Sequence, residues 1–92
     1  MPATVIIVGG GMSGLAAAYE LGRRRVPFLL LEAAPTLGGV VKTERVDGFV
    51  IDAGPDALLT QKPAAIELCR ELGIGHRLRP QAQRGTFLVR GG

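Results

Sequence analysis

Apolar residues run unbroken from Val5 to Val8 and again from Phe28 to Leu31. Between these runs, from Met12 to Arg25, Leu15, Ala18, Tyr19 and Gly22 recur at three- and four-residue spacing. A continuous β-branched run that starts at Thr4 and stops at Gly9 predicts a strand covered on both faces, and the spaced pattern predicts a helix packed by one stripe. Pro27 blocks further helix, so Phe28 to Leu31 reads as a second strand, ending at Glu32. A strand–helix–strand order of this length predicts a right-handed crossover with the two strands parallel.

Beyond Glu32 the pattern changes. Pro35, Gly38 and Gly39 mark a loop, and Val40 to Val46 and Phe49 to Asp52 flank the dipeptide Asp47-Gly48. That is a hairpin signal, because both central residues of a type I′ turn need positive φ. Pro63 to Leu72 predicts a second helix, with Thr60 or a neighbour as its cap, Pro63 in its first turn, and Gly73 where the chain turns left-handed. Ile66, Cys69 and Leu72 share one of its faces. Thr86 to Val89 reads as a last short strand, and Arg90, Gly91 and Gly92 as the turn after it. The fold class is therefore α/β: a parallel βαβ unit followed by a β-hairpin and a helix.

Composition narrows the functional classes. The 92 residues are 47% apolar and 21% charged, which is a globular balance within one domain at most. A unit this short buries only about 60% of its unfolded surface, so a large active site within it is not expected. The single cysteine, Cys69, excludes an internal disulfide and a cysteine-rich metal site, and its place on an apolar helix face reads as core packing. The start of the chain has no basic leader, and no apolar run approaches the ~20 residues of a membrane span, so the expectation is a soluble, cytoplasmic protein in a reducing compartment. The net charge of +3 is uneven: residues 70–92 hold 5 basic and 1 acidic side chains. Arg70, Arg77, Arg79, Arg84 and Arg90 are scattered, with only Phe87 as an aromatic among them, so a solvated surface is favoured over nucleic acid. The Arg23, Arg24 and Arg25 run sits at a helix end, where positive charge meets the negative pole of the dipole. His76 is a lone histidine, which argues against a metal site and for a surface position. Asp52 and Asp56 fit a strand end and a turn. No residue reads as a catalytic acid, base or nucleophile.

The candidate chemistry lies in Gly9, Gly11 and Gly14, a GxGxxG pattern that follows a predicted buried strand, opens a helix and is answered by Glu32 after the next strand. In that setting the first glycine permits the tight turn, the second lets a pyrophosphate approach the backbone, and the third lets the helix approach the sheet. Free amides at the helix start then face the phosphates, with Ser13 as an added hydroxyl donor. Glu32 suits an adenosine ribose and would repel a 2′-phosphate, which disfavours NADP. The fingerprint itself leaves NAD and FAD open. Gly38, Gly39 and the Ala53-Gly54-Pro55-Asp56 stretch add places of close backbone approach, which favour a longer, flavin-type ligand over plain loop punctuation.

Val5 through Asp56 resembles the amino-terminal part of the flavin-dependent amine oxidase superfamily and, within it, the protoporphyrinogen oxidase family. The matching words are Gly9 to Leu15 with Ala16, Ala17 and Ala18, Glu32-Ala33 with Leu37-Gly38-Gly39, and Asp47-Gly48-Phe49 leading to Gly54-Pro55-Asp56-Ala57. Later, Lys62-Pro63-Ala64, Glu67-Leu68-Cys69 and Phe87 to Gly92 are also similar. The resemblance implies a partial Rossmann-like FAD/NAD(P)-binding domain. It implies FAD held at its pyrophosphate by Gly9, Gly10, Gly11, Met12, Ser13 and Gly14, and at its ribose by Glu32 with Ala33. Backbone at Gly38, Gly39 and Val40 would hold it further, and Gly54, Pro55, Asp56 and Ala57 would come near the flavin. The superfamily often has arginine where Thr36 and Val40 stand, a departure that counts against an ordinary amine oxidase and is less surprising in the porphyrinogen-oxidising branch.

The activity implied is oxidation of a porphyrinogen, protoporphyrinogen IX or coproporphyrinogen III, in haem biosynthesis, with oxygen as acceptor. Residues 1–92 would be the amino-terminal part of the FAD-binding domain, with the substrate domain downstream, any peripheral membrane contact outside these residues, and FAD held only weakly by the part alone. Two other classes stay open: a segment of an amine oxidase or carotenoid desaturase, and a small non-catalytic nucleotide-binding protein.

Overall fold

The computed structural model describes residues 4–82 and 85–91, so the readings placed on Met1, Arg84 and Gly92 lie outside the described residues. The chain divides into two compact units, residues 1–57 and 58–92.

The first unit opens with β1 (Val5–Val8), α1 (Met12–Arg23) and β2 (Phe28–Leu31). β1 and β2 pair in parallel, with Val5 opposite Phe28 and Val8 opposite Leu31. The Gly9 N–H extends this ladder by one bond, donating to the Leu31 carbonyl at 2.7 Å. α1 lies on one face of the pair. A Cβ built on Gly14 would come within 3.3 Å of Ile7, and one on Gly22 would sit 3.9 Å from the Phe28 ring. Ala18 is the buried point of the helix stripe, with Leu15 and Tyr19 half-buried beside it.

The expectation of strands covered on both faces is not met. Side chains alternate across a strand, so Val5, Ile7, Phe28 and Leu30 face α1 while Ile6, Val8, Leu29 and Leu31 point the other way. Those four are 59%, 84%, 52% and 48% exposed. One helix can cover one face of a two-stranded sheet, and α1 is the only helix among the described residues of the first unit. The unbroken apolar runs therefore describe a sheet whose second face is left open.

Helix α1 stops at Arg23, two residues short of its predicted end. Arg25 takes φ 55, the Val26 N–H donates to Leu21 at 2.9 Å, and the Arg25 N–H donates to Gly22 at 3.1 Å. This paired closure is a Schellman motif with arginine, not glycine, in the left-handed position. Pro27 disfavours helical geometry at Val26, so the chain must leave the helix there. The arginine run is locally engaged: Glu20 accepts from Arg23 at 3.1 Å and from Arg24 at 2.9 Å, at helical spacings of three and four.

The hairpin follows as β3 (Thr43–Val46) and β4 (Phe49–Asp52), antiparallel, with Val46 opposite Phe49 and Thr43 opposite Asp52. Asp47 at φ 49 and Gly48 at φ 80 make the predicted I′ turn. β3 begins three residues later than the run from Val40 suggests, because residues 38–41 close a turn of their own, the Val41 N–H donating to Gly38 at 3.1 Å.

In the second unit α2 (Ala64–Glu71) has Pro63 as its N-cap and no side-chain cap, so Thr60 does not cap it. Glycine at 73, with φ 76, ends it as predicted: the Gly73 N–H reaches Arg70 and the Ile74 N–H reaches Cys69. Ile66 and Cys69 are half-buried on one face while Leu72 is exposed. His76 lies in an exposed one-turn 3-10 helix, Gly75–Arg77, and not in an irregular loop. Residues 86–89 form no strand. Phe87, Leu88 and Val89 are almost fully exposed, and a lone segment has no neighbour to satisfy its ladder. Among the described residues no helix is long and apolar enough to cross a membrane.

Two glycines of α1 make opposite predictions. A methyl at Gly14 would land on the Gly9 carbonyl, backbone that has nowhere to move. Gly14→Ala should therefore destabilise the chain by about 1–3 kcal/mol. At Gly22 the added methyl meets only ordinary contact. Gly22→Ala should stabilise by up to ~1 kcal/mol through helix propensity. Urea denaturation midpoints of the two variants, measured beside the wild type, check both signs.

Candidate functional site

The glycine loop leaves β1 through Gly9, whose φ of 102 is a geometry that side-chain-bearing residues avoid. It enters α1 at Gly11, the N-cap, which provides no side-chain cap bond. An α-helix leaves its first N–H groups without internal partners. Here those of Gly11, Met12, Ser13 and Gly14 donate no bond to the main chain of any described residue. Ser13 is exposed at this mouth. A Cβ on Gly11 would meet the Gly39 Cα at 3.9 Å, an ordinary contact with nothing nearer, so glycine leaves that edge of the backbone bare without a clash to forbid a methyl. The amides of residues 11–14 thus lie without main-chain acceptors beside a glycine, with Gly39 in contact with Gly11 on one side. An anion seated there would meet four N–H groups and the positive end of the helix dipole.

Glu32, half-buried just past β2, turns toward the loop. Its Oε1 accepts the Gly10 N–H at 2.9 Å and its Oε2 accepts the Ala34 N–H at 3.0 Å. The Ala34, Gly10 and Ala33 amides hold the carboxyl below the ordinary glutamate range, against a smaller opposing push from desolvation. A carboxylate offers about four acceptor sites, so after these amides Glu32 keeps room to accept from a hydroxyl. Its service to the protein's own main chain is not apparent from motif spacing, which assigns it only to a ribose.

Behind Glu32, the turn at 37–41 folds back on the loop. The Gly38 N–H donates to the Gly10 carbonyl at 2.8 Å. Gly39, at φ 61, approaches so closely that its own Cβ would lie 3.1 Å from the Gly11 Cα. On the other side of this turn, a Cβ on Gly54 would strike the Val40 carbonyl, and the Ala53 N–H donates to Lys42 at 2.9 Å. The structure thus joins Gly9 to Gly14, Glu32, Gly38, Gly39, Val40 and Gly54 in one seam. Ala33 adjoins Glu32 and is exposed. Pro55, Asp56 and Ala57 follow Gly54, are exposed, and make no hydrogen bond with described residues. Leu37 and Gly10 matter more than the motif suggests, since Leu37 lies against Gly10; the Leu-Gly-Gly word was the available signal. Among the described residues no group of three or more metal-ligating side chains converges.

The low carboxyl value of Glu32 sets a pH dependence. An acid with a depressed folded value contributes fully above its ordinary value near 4.5 and loses that contribution as pH falls through the depressed one. In an NMR titration, Glu32 should protonate below 4.5, with the Gly10 and Ala34 amide resonances moving at the same midpoint. Glu32→Gln, which offers one acceptor and one donor to two N–H groups, should abolish that transition and loosen the Gly10 amide.

Comparison with known proteins gives consistent results. Residues 7–72 match the model of the NAD(P)-binding Rossmann-like domain. The coproporphyrinogen III oxidase of Bacillus subtilis is 41% identical over 91 residues, 92% of this chain and 19% of that enzyme. A crystal structure from Exiguobacterium sp. 255-15, assigned provisionally as a protoporphyrinogen oxidase, is 43% identical with a TM-score of 0.73, over 83% of this chain and 18% of that one. Wild-type putrescine oxidase bound to putrescine is 38% identical with a TM-score of 0.72, over 76% and 16%. The chain spans about a fifth of the length of such curated relatives. With residues 7–72 matched by its model, well over half of the chain, the chain belongs to the NAD(P)-binding Rossmann-like domain family.

Proposed function

We propose that this chain is the amino-terminal part of the FAD-binding domain of an oxidoreductase that oxidises a porphyrinogen, coproporphyrinogen III or protoporphyrinogen IX, with oxygen as acceptor in haem biosynthesis. The observation that carries the reading is the helix mouth, where the N–H groups of residues 11–14 have no main-chain acceptor among the described residues, no Cβ stands at Gly11, and an ionised Glu32 is bonded to the adjoining Gly10 amide. A diphosphate fits the N–H groups and a ribose hydroxyl fits the acceptor room left on the carboxylate. The 41% identity to coproporphyrinogen III oxidase over nearly the whole chain supports the substrate class.

In this reading Gly9, Gly10, Gly11, Met12, Ser13 and Gly14 hold the pyrophosphate of FAD, and Glu32 with Ala33 holds the adenosine ribose. Gly38, Gly39 and Val40 supply backbone beside the phosphates, and Gly54, Pro55, Asp56 and Ala57 lead toward the flavin. When bound, FAD supplies a two-electron acceptor for carbon–hydrogen oxidation, chemistry that no side chain of this segment offers. The segment's own work is to bind, orient and exclude a 2′-phosphate by the charge of Glu32. The likeness to putrescine oxidase favours a second reading, a segment of an amine oxidase. Thr36 and Val40 weigh against it, since arginine often stands at those places in that superfamily.

The residues given leave one sheet face open and little buried core, so the segment alone should hold FAD weakly. Equilibrium dialysis should return a dissociation constant well above micromolar; a micromolar or tighter value, about −8 kcal/mol, would show the segment to be a complete site. The longer protein that this reading requires should copurify with FAD and consume oxygen with a porphyrinogen and not with putrescine. Oxygen uptake with the amine alone would replace the first reading by the second.

A further inference from the structure

Gly10 occupies a variable position of the GxGxxG fingerprint, and its backbone is not in the left-handed region, so conformation does not demand glycine there. Space does. A Cβ on Gly10 would lie 2.5 Å from Leu37 Cδ2, 3.2 Å from Leu30 Cδ2 and 3.4 Å from Glu32 Oε1. Gly10 is itself buried, and both of its main-chain groups are held: the N–H by Glu32 at 2.9 Å and the carbonyl by the Gly38 N–H at 2.8 Å. The carbonyl of Gly10 and the N–H of Gly11 belong to one planar trans peptide and point in opposite directions. Anchoring that carbonyl on the Gly38 amide therefore fixes the Gly11 N–H, the first donor of the loop without a main-chain acceptor among the described residues, in the direction opposite to that bond.

We propose that Leu37 is a positioning residue for the nucleotide site: its side chain lies over Gly10, seats the Gly10 peptide between Glu32 and Gly38, and so fixes the direction of the Gly11 N–H. The inference rests on the reading of this loop as a diphosphate cradle. Leu37 is 57% exposed, so its truncation removes little buried surface. Stability and aim are thus separable, which a merely structural leucine would not allow.

The test uses the longer protein that the proposed function requires, freed of cofactor, with ADP as probe and amide hydrogen exchange as a readout independent of ligand. Leu37→Ala should leave the melting temperature nearly unchanged, speed exchange of the Gly10 amide, and weaken ADP by about tenfold, the scale of one misdirected hydrogen bond. Leu37→Met should behave as wild type. Gly10→Ala should weaken ADP at least as much, and adding Leu37→Ala should recover part of that loss by making room for the methyl. Unchanged Gly10 exchange and ADP affinity in Leu37→Ala, or strictly additive losses in the double variant, would overturn the proposal. Failure of the wild type to bind ADP at millimolar concentration would overturn the nucleotide reading instead. Gly10 exchange in Leu37→Ala would then still decide whether the leucine seats the loop.

Discussion

The start of α1 lies so close to the end of β1 that no atom fits between Gly14 and the Gly9 carbonyl. This approach puts the helix mouth at the exit of the strand, so that the turn from Gly9 to Gly11 is short and the amides of residues 11–14 are left without main-chain acceptors among the described residues. It also sets the height of the helix over the sheet, which brings Ile7 and Phe28 under α1 and gives the βαβ unit its one covered face. If the helix stood further off, the loop would lengthen, and the N–H groups would no longer converge on one small volume.

From that contact the rest of the seam follows by hydrogen bonding. Parallel pairing of β1 with β2 carries Glu32 to the level of the glycine loop, where its carboxylate binds the Gly10 amide. The chain then doubles back, and the 37–41 turn takes the Gly10 carbonyl and packs glycine on glycine, Gly39 against Gly11. Gly54 closes on Val40 from beyond the hairpin. Four separate stretches of sequence become one surface, mostly main chain, and main chain is what a diphosphate needs, since its oxygens ask for N–H donors and not for particular side chains.

Much of this was legible in the residues. The period of the apolar positions located β1, α1 and β2, Asp47-Gly48 fixed the hairpin turn, and Gly73 fixed the end of α2, because each depends on local conformational preference. The errors fall where local preference meets a missing or unexpected neighbour. Thr86 to Val89 has strand composition and no strand to pair with. Thr60 has capping chemistry, yet Pro63 takes the N-cap. The apolar runs of β1 and β2 describe two-faced burial, which one helix cannot supply.

Sequence alone determined the class of the fold, the place of the glycine loop and the residue that answers it, because turn geometry, helix periodicity and the need for a Cβ-free approach are properties of a few adjacent residues. Tertiary structure decided what those residues touch: that Glu32 serves the Gly10 amide, that Leu37 lies over Gly10 at a position the motif leaves free, and that Ile6, Val8, Leu29 and Leu31 stay open. These depend on contacts between stretches twenty or more residues apart, whose distances are set by strand register and helix height, and no local pattern encodes them.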